Sequence, residues 1–376
     1  MSKNILDADS CAQAISIRDL SDEAQGAHAM QLIVRSITLA LSGAWQCKTI
    51  VHRASPIVSI EDNYDRLHYA QDGAARDARY TRYVSESTLL RTQTSAMIPP
   101  LLRSISNAPP EDVLLACPGL VYRRDTIDRL HTGEPHQIDL WRIRRGERLM
   151  TTDLRHMIDL VVEAALPGTE LRCLDARHPY TTDGLQIEVR IGRQWVEIGE
   201  CGLALPALLA ESGLDPSYSG LAMGLGLDRL VMLRKGIEDI RLLRSRDPRV
   251  AGQLLDLSPY RPVSRQPPVR RDISIVVGEE DTPEELGDRV RHALGEGASG
   301  VESVLVLSET NERDLPRHVA DRLAIEPGQK NVLLRLVLRD LERTLTDEEA
   351  NVLRDRIYAA LHQGKVCEWA LGAPPI

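Results

Sequence analysis

The chain predicts an α+β protein of two units, an antiparallel sheet flanked by helices followed by a smaller sheet-and-helix sandwich. Three observations carry that expectation. Strand-like segments cluster instead of alternating with helices, as LQIEVRIG (185–192) and QWVEIGE (194–200) do. The segment LSPYRPVSRQPPVRRD (257–272) holds four prolines and no periodic apolar pattern, which reads as a connector. Beyond it, two helix starts carry complete capping boxes.

In the first unit, TSAMIPPLLRSIS (94–106) and TTDLRHMIDLVVEAAL (151–166) have helical periodicity and flank the strands. GLAMGLGLDRLVMLRKG (220–236) reads as a glycine-rich strand running into a helix. After the connector, DISIVV alternates as a strand, and Thr282, Pro283 and Glu285 open the helix TPEELGDRVRHAL. VESVLVL and NVLLRLVL follow as strands. Thr346 and Glu349 cap DEEANVLRDRIYAALHQ, Gly364 closes it, and VCEWAL is the last expected strand. The order β-α-β-β-α-β is that of a ferredoxin-like sandwich. The expected divisions are 1–50 as an N-terminal extension without a role, 51–256 as the main domain, 257–269 as linker and 270–376 as the sandwich.

Composition narrows the function class. The 376 residues are 43% apolar, enough for sizeable cores, and no apolar run approaches the length of a membrane span. The start MSKNILDADSCAQA carries acids where a targeting signal would be basic or apolar, so a cytoplasmic location is expected. Six cysteines never approach a C-x-x-C spacing, which argues against a zinc site or a disulfide framework. The net charge of −9 opposes a generic basic nucleic-acid coat, yet the clusters at 142–148, 241–249 and 260–271 leave room for local phosphate contacts. One composition is extreme: there is no phenylalanine, beside nine tyrosines and four tryptophans.

The chemistry lies in VYRRDTIDRLHTGEPHQID (121–139), which puts Arg123, Asp125, His131, Gln137 and Asp139 on a strand-loop-strand hairpin, and in GLGLDR, which puts Arg229 at a helix start. No G-x-x-x-x-G-K-[ST] loop exists, so a nucleotide would be held without one. Two arginines gripping a triphosphate, with carboxylates orienting an ammonium group, suit adenylate formation. In that reaction a carboxylate attacks the α-phosphorus, and positioning with Mg²⁺ on the departing pyrophosphate supplies most of the acceleration.

These stretches resemble a known family. VYRRDTIDRLHTGEPHQ is similar to motif 2 of the class II aminoacyl-tRNA synthetases, specifically of the phenylalanyl-tRNA synthetases. GLAMGLGLDRLVMLRKGIEDIR is similar to motif 3, LLRTQTSAM to the amino-acid-binding segment, and residues 268–372 to the ferredoxin-fold anticodon-binding domain. The resemblance covers roughly residues 55–372, with both domains in one chain. It implies ATP and Mg²⁺ as cofactors and tRNA as a partner. It also implies that Arg123 holds the α-phosphate, and that His131 and Arg229 hold the outer phosphates, with Asp125 beside them. Gln93, Ser95, Gln137 and Asp139 would surround the α-amino group. Glu188 and Glu197 stand on strands that supply metal or pocket carboxylates in this class, and a solvent-facing strand position remains open for both.

The sequence departs from the family pattern at several sites, in the side-chain pocket and at the position expected to stack on adenine among them. The family's F-P-F-T-E reads His178, Pro179, Tyr180, Thr181, Thr182 here, so the aromatic wall becomes more polar. F-H-Q reads Pro135, His136, Gln137, and F-A-F-G reads Leu221, Ala222, Met223, Gly224, which keeps the small Ala222 beside the ring. A histidine and a tyrosine there suit a hydroxylated or otherwise altered phenylalanine, or fill the same volume with their polar atoms paired internally. Phenylalanine is absent from packing positions as well, which suggests a protein made when charged phenylalanine is scarce or corrupted: a resistant or specialised second synthetase. Two alternatives stand beside it, adenylation of a non-standard aromatic amino acid for biosynthesis and a non-catalytic regulator that binds tRNA or an amino acid. A monomer and a homodimer are both compatible with the sequence.

Overall fold

The computed structural model describes residues 5–77, 79–263 and 266–366. It divides into two compact units. The first comprises the chain up to Arg123 with Glu134–Leu243 and Pro248–Tyr260, and the second comprises Arg124–Gly133, Arg244–Asp247 and the chain from Arg261 on.

Among the described residues the first unit has nine strands: β1 (Lys48–Val51), β2 (Ile57–Ser59), β3 (Thr88–Leu90), β4 (Asp112–Leu120), β5 (His136–Arg145), β6 (Leu171–Asp175), β7 (Thr181–Ile191), β8 (Gln194–Ala204) and β9 (Tyr218–Gly226). Seven form one sheet in the order β1-β4-β5-β9-β8-β7-β6, while β2 and β3 pair separately. Every neighbour in the large sheet is antiparallel except β1 and β4. The β7–β8 hairpin turns at Gly192, whose φ of 60° is the left-handed conformation such a turn requires.

Two helices show how the unit buries its apolar surface. In Thr151–Ala165, Leu154, Met157, Ile158, Val161 and Val162 recur at helical spacing and are buried, each worth about 2 kcal/mol of apolar transfer. Residues 1–50, expected as an extension, contain the helix Ala29–Trp45, in which Ala29, Met30, Ile33, Ile37 and Leu41 are completely buried. Its start is fixed by His28, whose Nδ1 accepts the Met30 N–H at 3.1 Å while Gln31 accepts the His28 N–H at 3.2 Å. On its other side, Nε2 of His28 lies 3.2 Å from the Leu243 carbonyl and donates to it.

The second unit has β10 (Val269–Gly278), β11 (Val301–Asn311) and β12 (Gln329–Leu338), antiparallel in the order β10-β12-β11. Helices Pro283–Leu294 and Asp347–Leu361 each begin with the expected capping box, at Thr282/Glu285 and Thr346/Glu349. Ile273, Ile275 and Val277 on one face of β10 meet Leu286, Val290, Ile357 and Leu361 in its core. The second of these helices ends at Leu361 with His362 extended after it, so Gly364 is not its cap. A short helix, Arg317–Leu323, was not expected, and VCEWAL from Cys367 on lies outside the described residues. Residues 124–133 belong to this unit: Ile127 enters its core, and Arg291 donates to the Asp125 and Thr126 carbonyls at 2.6 and 2.5 Å.

His28 makes acid sensitivity testable. Burial lowers its pKa to about 4 from 6.5, and a proton on Nδ1 would break the helix cap. Between these values the unfolded chain binds a proton that the folded chain refuses. The stabilisation is therefore complete above pH 6.5 and is lost as pH falls towards 4, with a ceiling of about 3 kcal/mol. Urea unfolding from pH 7 to 5 should show the wild type losing stability while His28→Asn, which keeps a capping acceptor, loses measurably less. Parallel losses would remove His28 from the explanation.

Candidate active site

The register of the large sheet assembles one face. Cys117, Asp139, Gly224, Glu200 and Gln186 form a continuous row of cross-strand partners across β4, β5, β9, β8 and β7. The next row on the same face is Leu115, Trp141, Ala222 and Gly202. Small residues at the middle of both rows leave a trough. A Cβ on Gly224 would meet only Asp139 Oδ2, at 3.8 Å, and one on Gly226 only the Cβ of Arg229, at 3.9 Å.

Asp139 forms the floor at one side, 2% exposed. Its carboxylate accepts from the Thr94 hydroxyl at 2.8 Å, the Ser95 hydroxyl at 2.9 Å and Trp141 Nε1 at 3.1 Å. Thr94 and Ser95 reach it because the chain winds into a 3₁₀ turn, Thr94–Met97, that is buried throughout. All three donors are neutral, and burial raises the Asp139 pKa more than they lower it. Beside this turn, Gln93 accepts from the Tyr69 hydroxyl at 2.7 Å and donates to the Asn63 carbonyl at 2.9 Å.

An aromatic group stands over the trough. Tyr180 stacks on Trp141 with centroids 6.1 Å apart and lies 6.3 Å from Tyr69 and 6.2 Å from His178. Burial pushes the hydroxyls of both Tyr69 and Tyr180 upward, with the charges of Asp139 and Glu200 adding to the effect. His178 Nε2 lies 2.8 Å from Glu200 Oε2.

The other end of the trough is electrostatically distinct. β9 runs directly into the helix Leu227–Lys235, and its Asp228 is anchored by His136 Nδ1 at 3.0 Å. The opposite nitrogen of His136 accepts the Leu20 N–H at 3.0 Å, which fixes the neutral tautomer with the proton on Nδ1. Arg229 follows Asp228, and its Nη1 donates to the Glu197 carbonyl at 3.0 Å. Burial raises the Glu197 pKa, Glu200 and Glu188 push it further, and Arg229 and Arg123 oppose them. Nε of Arg123 is buried without a hydrogen-bond partner.

The structure thus brings Ser95, Asp139, Tyr180 and Ala222 to one trough, with Gln93 and His178 at its wall and Gln137 on the same face of β5. It separates others. Met223 pairs with Leu140 and Cys201, so strand alternation turns its side chain to the opposite, apolar face, and it is corrected from a pocket residue to a core residue. Glu188 is held through both oxygens, by Arg172 Nε at 2.6 Å and Gln186 Nε2 at 2.9 Å, which leaves Glu197 as the less committed carboxylate. Among the described residues no group of three His, Cys, Asp or Glu is arranged around a metal position. Asp125 and His131 fall in the second unit, where Asp128 holds His131 Nδ1 at 2.8 Å. Sequence reasoning missed Trp141, Thr94, Tyr69 and Glu200. Of these only Trp141 had a visible signal, two residues after Asp139 on the same strand face.

A largely antiparallel sheet with a carboxylate floor and two arginines facing Glu197, in a chain with a ferredoxin-like unit, defines a class. Residues 17–254 match the tRNA synthetases class II core domain (F), and residues 264–366 match the ferredoxin-fold anticodon-binding domain. The chain belongs to the class II tRNA synthetases. Its relatives include the chloroplastic/mitochondrial phenylalanine–tRNA ligase of Arabidopsis thaliana, 30% identical over 318 residues that cover 81% of this chain and 68% of the relative. The mitochondrial phenylalanine–tRNA ligase of Saccharomyces cerevisiae is 25% identical, covering 92% of this chain and 88% of the relative. A phenylalanine–tRNA ligase alpha subunit of Prochlorococcus marinus is 35% identical over 192 residues, 51% of this chain and 56% of the relative. The chain thus spans just over half the length of that subunit.

The floor carboxylate predicts a split between stability and binding. Asp139→Ala leaves three buried donors without an acceptor and should cost about 3 kcal/mol in urea unfolding. Asp139→Asn keeps acceptor capacity and should fold, yet raise the KM for the amino acid about 100-fold by removing the charge. Equal KM values for wild type and Asp139→Asn would exclude an ammonium contact.

Proposed function

We propose that this chain activates phenylalanine or a close aromatic analogue with ATP, forming an aminoacyl adenylate and pyrophosphate, and then transfers the aminoacyl group to tRNA with release of AMP. The observation that carries the reading is the open trough above Gly224, with a buried, uncompensated carboxylate at one end and Arg123 and Arg229 at the other. The ammonium of the amino acid supplies the countercharge that Asp139 lacks. Ser95 and Gln137 orient it, with Gln93 behind them.

The unpartnered Nε–H of Arg123 suits an α-phosphate oxygen, and Arg229 suits the outer phosphates. Glu197, its pKa raised by burial and by Glu200, is the carboxylate that gains most from Mg²⁺. Mg²⁺ typically keeps phosphate and water ligands, so one or two carboxylates suffice. The second unit's match to an anticodon-binding domain supports tRNA as the partner. A cytoplasmic location is part of this proposal; two of the relatives above carry organellar names.

The absence of phenylalanine supports a specialised role, a second synthetase made when phenylalanine supply or charging fails. The structure supplies harmless positions for a test: Leu39 is 64% exposed and Val352 54% exposed. Leu39→Phe with Val352→Phe should leave activity unchanged, but reduce accumulation of the protein during phenylalanine starvation. Equal accumulation would detach composition from supply.

Activity itself is tested by amino-acid-dependent ATP–pyrophosphate exchange with Mg²⁺. Arg123→Ala and Arg229→Ala should each lower kcat by about 100-fold or more, as loss of a charge-stabilising group does. No exchange with any aromatic amino acid, in folded protein with tRNA present, would favour the non-catalytic regulator.

A further inference from the structure

Glu200 has no place in the roles assigned so far beyond its charge. It stands opposite Asp139 across Gly224, two strands away and therefore roughly 10 Å between backbones. Its side chain is 45% exposed, and its Oε2 lies 2.8 Å from Nε2 of His178, whose own side chain is 8% exposed.

The Thr181 hydroxyl lies 3.3 Å from Nδ1 of His178, and with that hydroxyl as donor the ring proton stands on Nε2. Yet Nε2 is buried and makes no hydrogen bond, with Glu200 Oε2 lying 2.8 Å away. A buried donor left in this state costs about 1–3 kcal/mol. His178 also lies against Tyr180, which stacks on Trp141, so the unfilled donor and its neighbouring carboxylate stand at the aromatic end of the trough.

The missing group must accept from an imidazole N–H and donate to a carboxylate. A plain phenyl edge does neither well, and an ammonium cannot accept. A phenolic hydroxyl does both. The geometry points to a ring-hydroxylated phenylalanine as the amino acid this site prefers over phenylalanine, with His178 and Glu200 setting the preference. This inference rests on the ligase reading above and names the substrate class of the same site. Such a site can reject the analogue without the hydroxyl strongly, because the buried His178 donor is then left unsatisfied.

The test measures kcat/KM in ATP–pyrophosphate exchange for phenylalanine, para-hydroxyphenylalanine and meta-hydroxyphenylalanine, using the full chain as wild type, Glu200→Gln and His178→Phe. A ratio of two substrates on one preparation does not depend on the fraction folded, so a poorly folding variant still reports. The wild type should favour one hydroxylated substrate by about 100-fold or more. Each substitution should cut that ratio at least tenfold. Exchange that favours phenylalanine, or treats the substrates alike, would overturn the inference while the ligase reading stands. If Glu200→Gln slows all three substrates by one common factor, Glu200 is a general ligand and the inference also fails. No exchange with any substrate would remove the ligase reading and this inference with it.

Discussion

A carboxylate buried among neutral donors is the constraint on which the catalytic unit is built. Asp139 draws its hydrogen bonds from two hydroxyls and an indole, and none of these donors neutralises it. Burial therefore works against its charged form, and an arriving cation repays more here than at a solvated site. The demand propagates outward. Thr94 and Ser95 must sit in a buried 3₁₀ turn, Trp141 must share a strand face with Asp139, and residue 224 must leave the space above it open.

The two ends of the trough are linked by backbone that has little freedom. β9 pairs with β5 up to Gln137 and Gly226, and the helix carrying Arg229 begins at the next residue. His136, fully buried, ties that helix start to β5 through Asp228 and to the N-terminal segment through Leu20. A shift of the helix would break a buried polar chain, so the separation between Asp139 and Arg229 is set by register and not by side-chain choice. The N-terminal segment is for the same reason part of the catalytic unit's structure, through Leu20 and through the buried helix it leads into.

How much of this was legible in the sequence depended on whether the signal was local. Capping boxes at Thr282 and Thr346 declared their helices, and GLGLDR declared a strand turning into a helix. The helix Arg317–Leu323 begins at Pro316 without a side-chain cap, and left no comparable mark. Asp139 could be found from its motif. Glu200 could not, because strict alternation along β8 would turn it away from Glu197. An irregularity in register, with Gly199 opposite Ile187 and Glu197 opposite Glu188, puts one extra residue between them and brings both carboxylates to one face. Met223 erred in the other direction: motif position suggested the pocket, while the period of two assigned the core.

The missing phenylalanine also has a structural side. Tyrosine fills the volume of phenylalanine but brings a hydroxyl that must be paired when buried. Tyr64 donates to the Ala75 carbonyl at 2.7 Å, Tyr83 to that of Arg76 at 2.9 Å, Tyr218 to that of Pro109 at 3.2 Å, and Tyr69 to Gln93. The buried positions without a hydroxyl partner carry aliphatic residues instead, as Ile275 and Leu338 do in the second unit. At these positions the tyrosine hydroxyl has an acceptor, and the apolar positions named are filled without an aromatic ring. Drift that removed one amino acid at random would leave some of these hydroxyls stranded at about 1–3 kcal/mol each. The four tyrosines above, all in the first unit, avoid that cost.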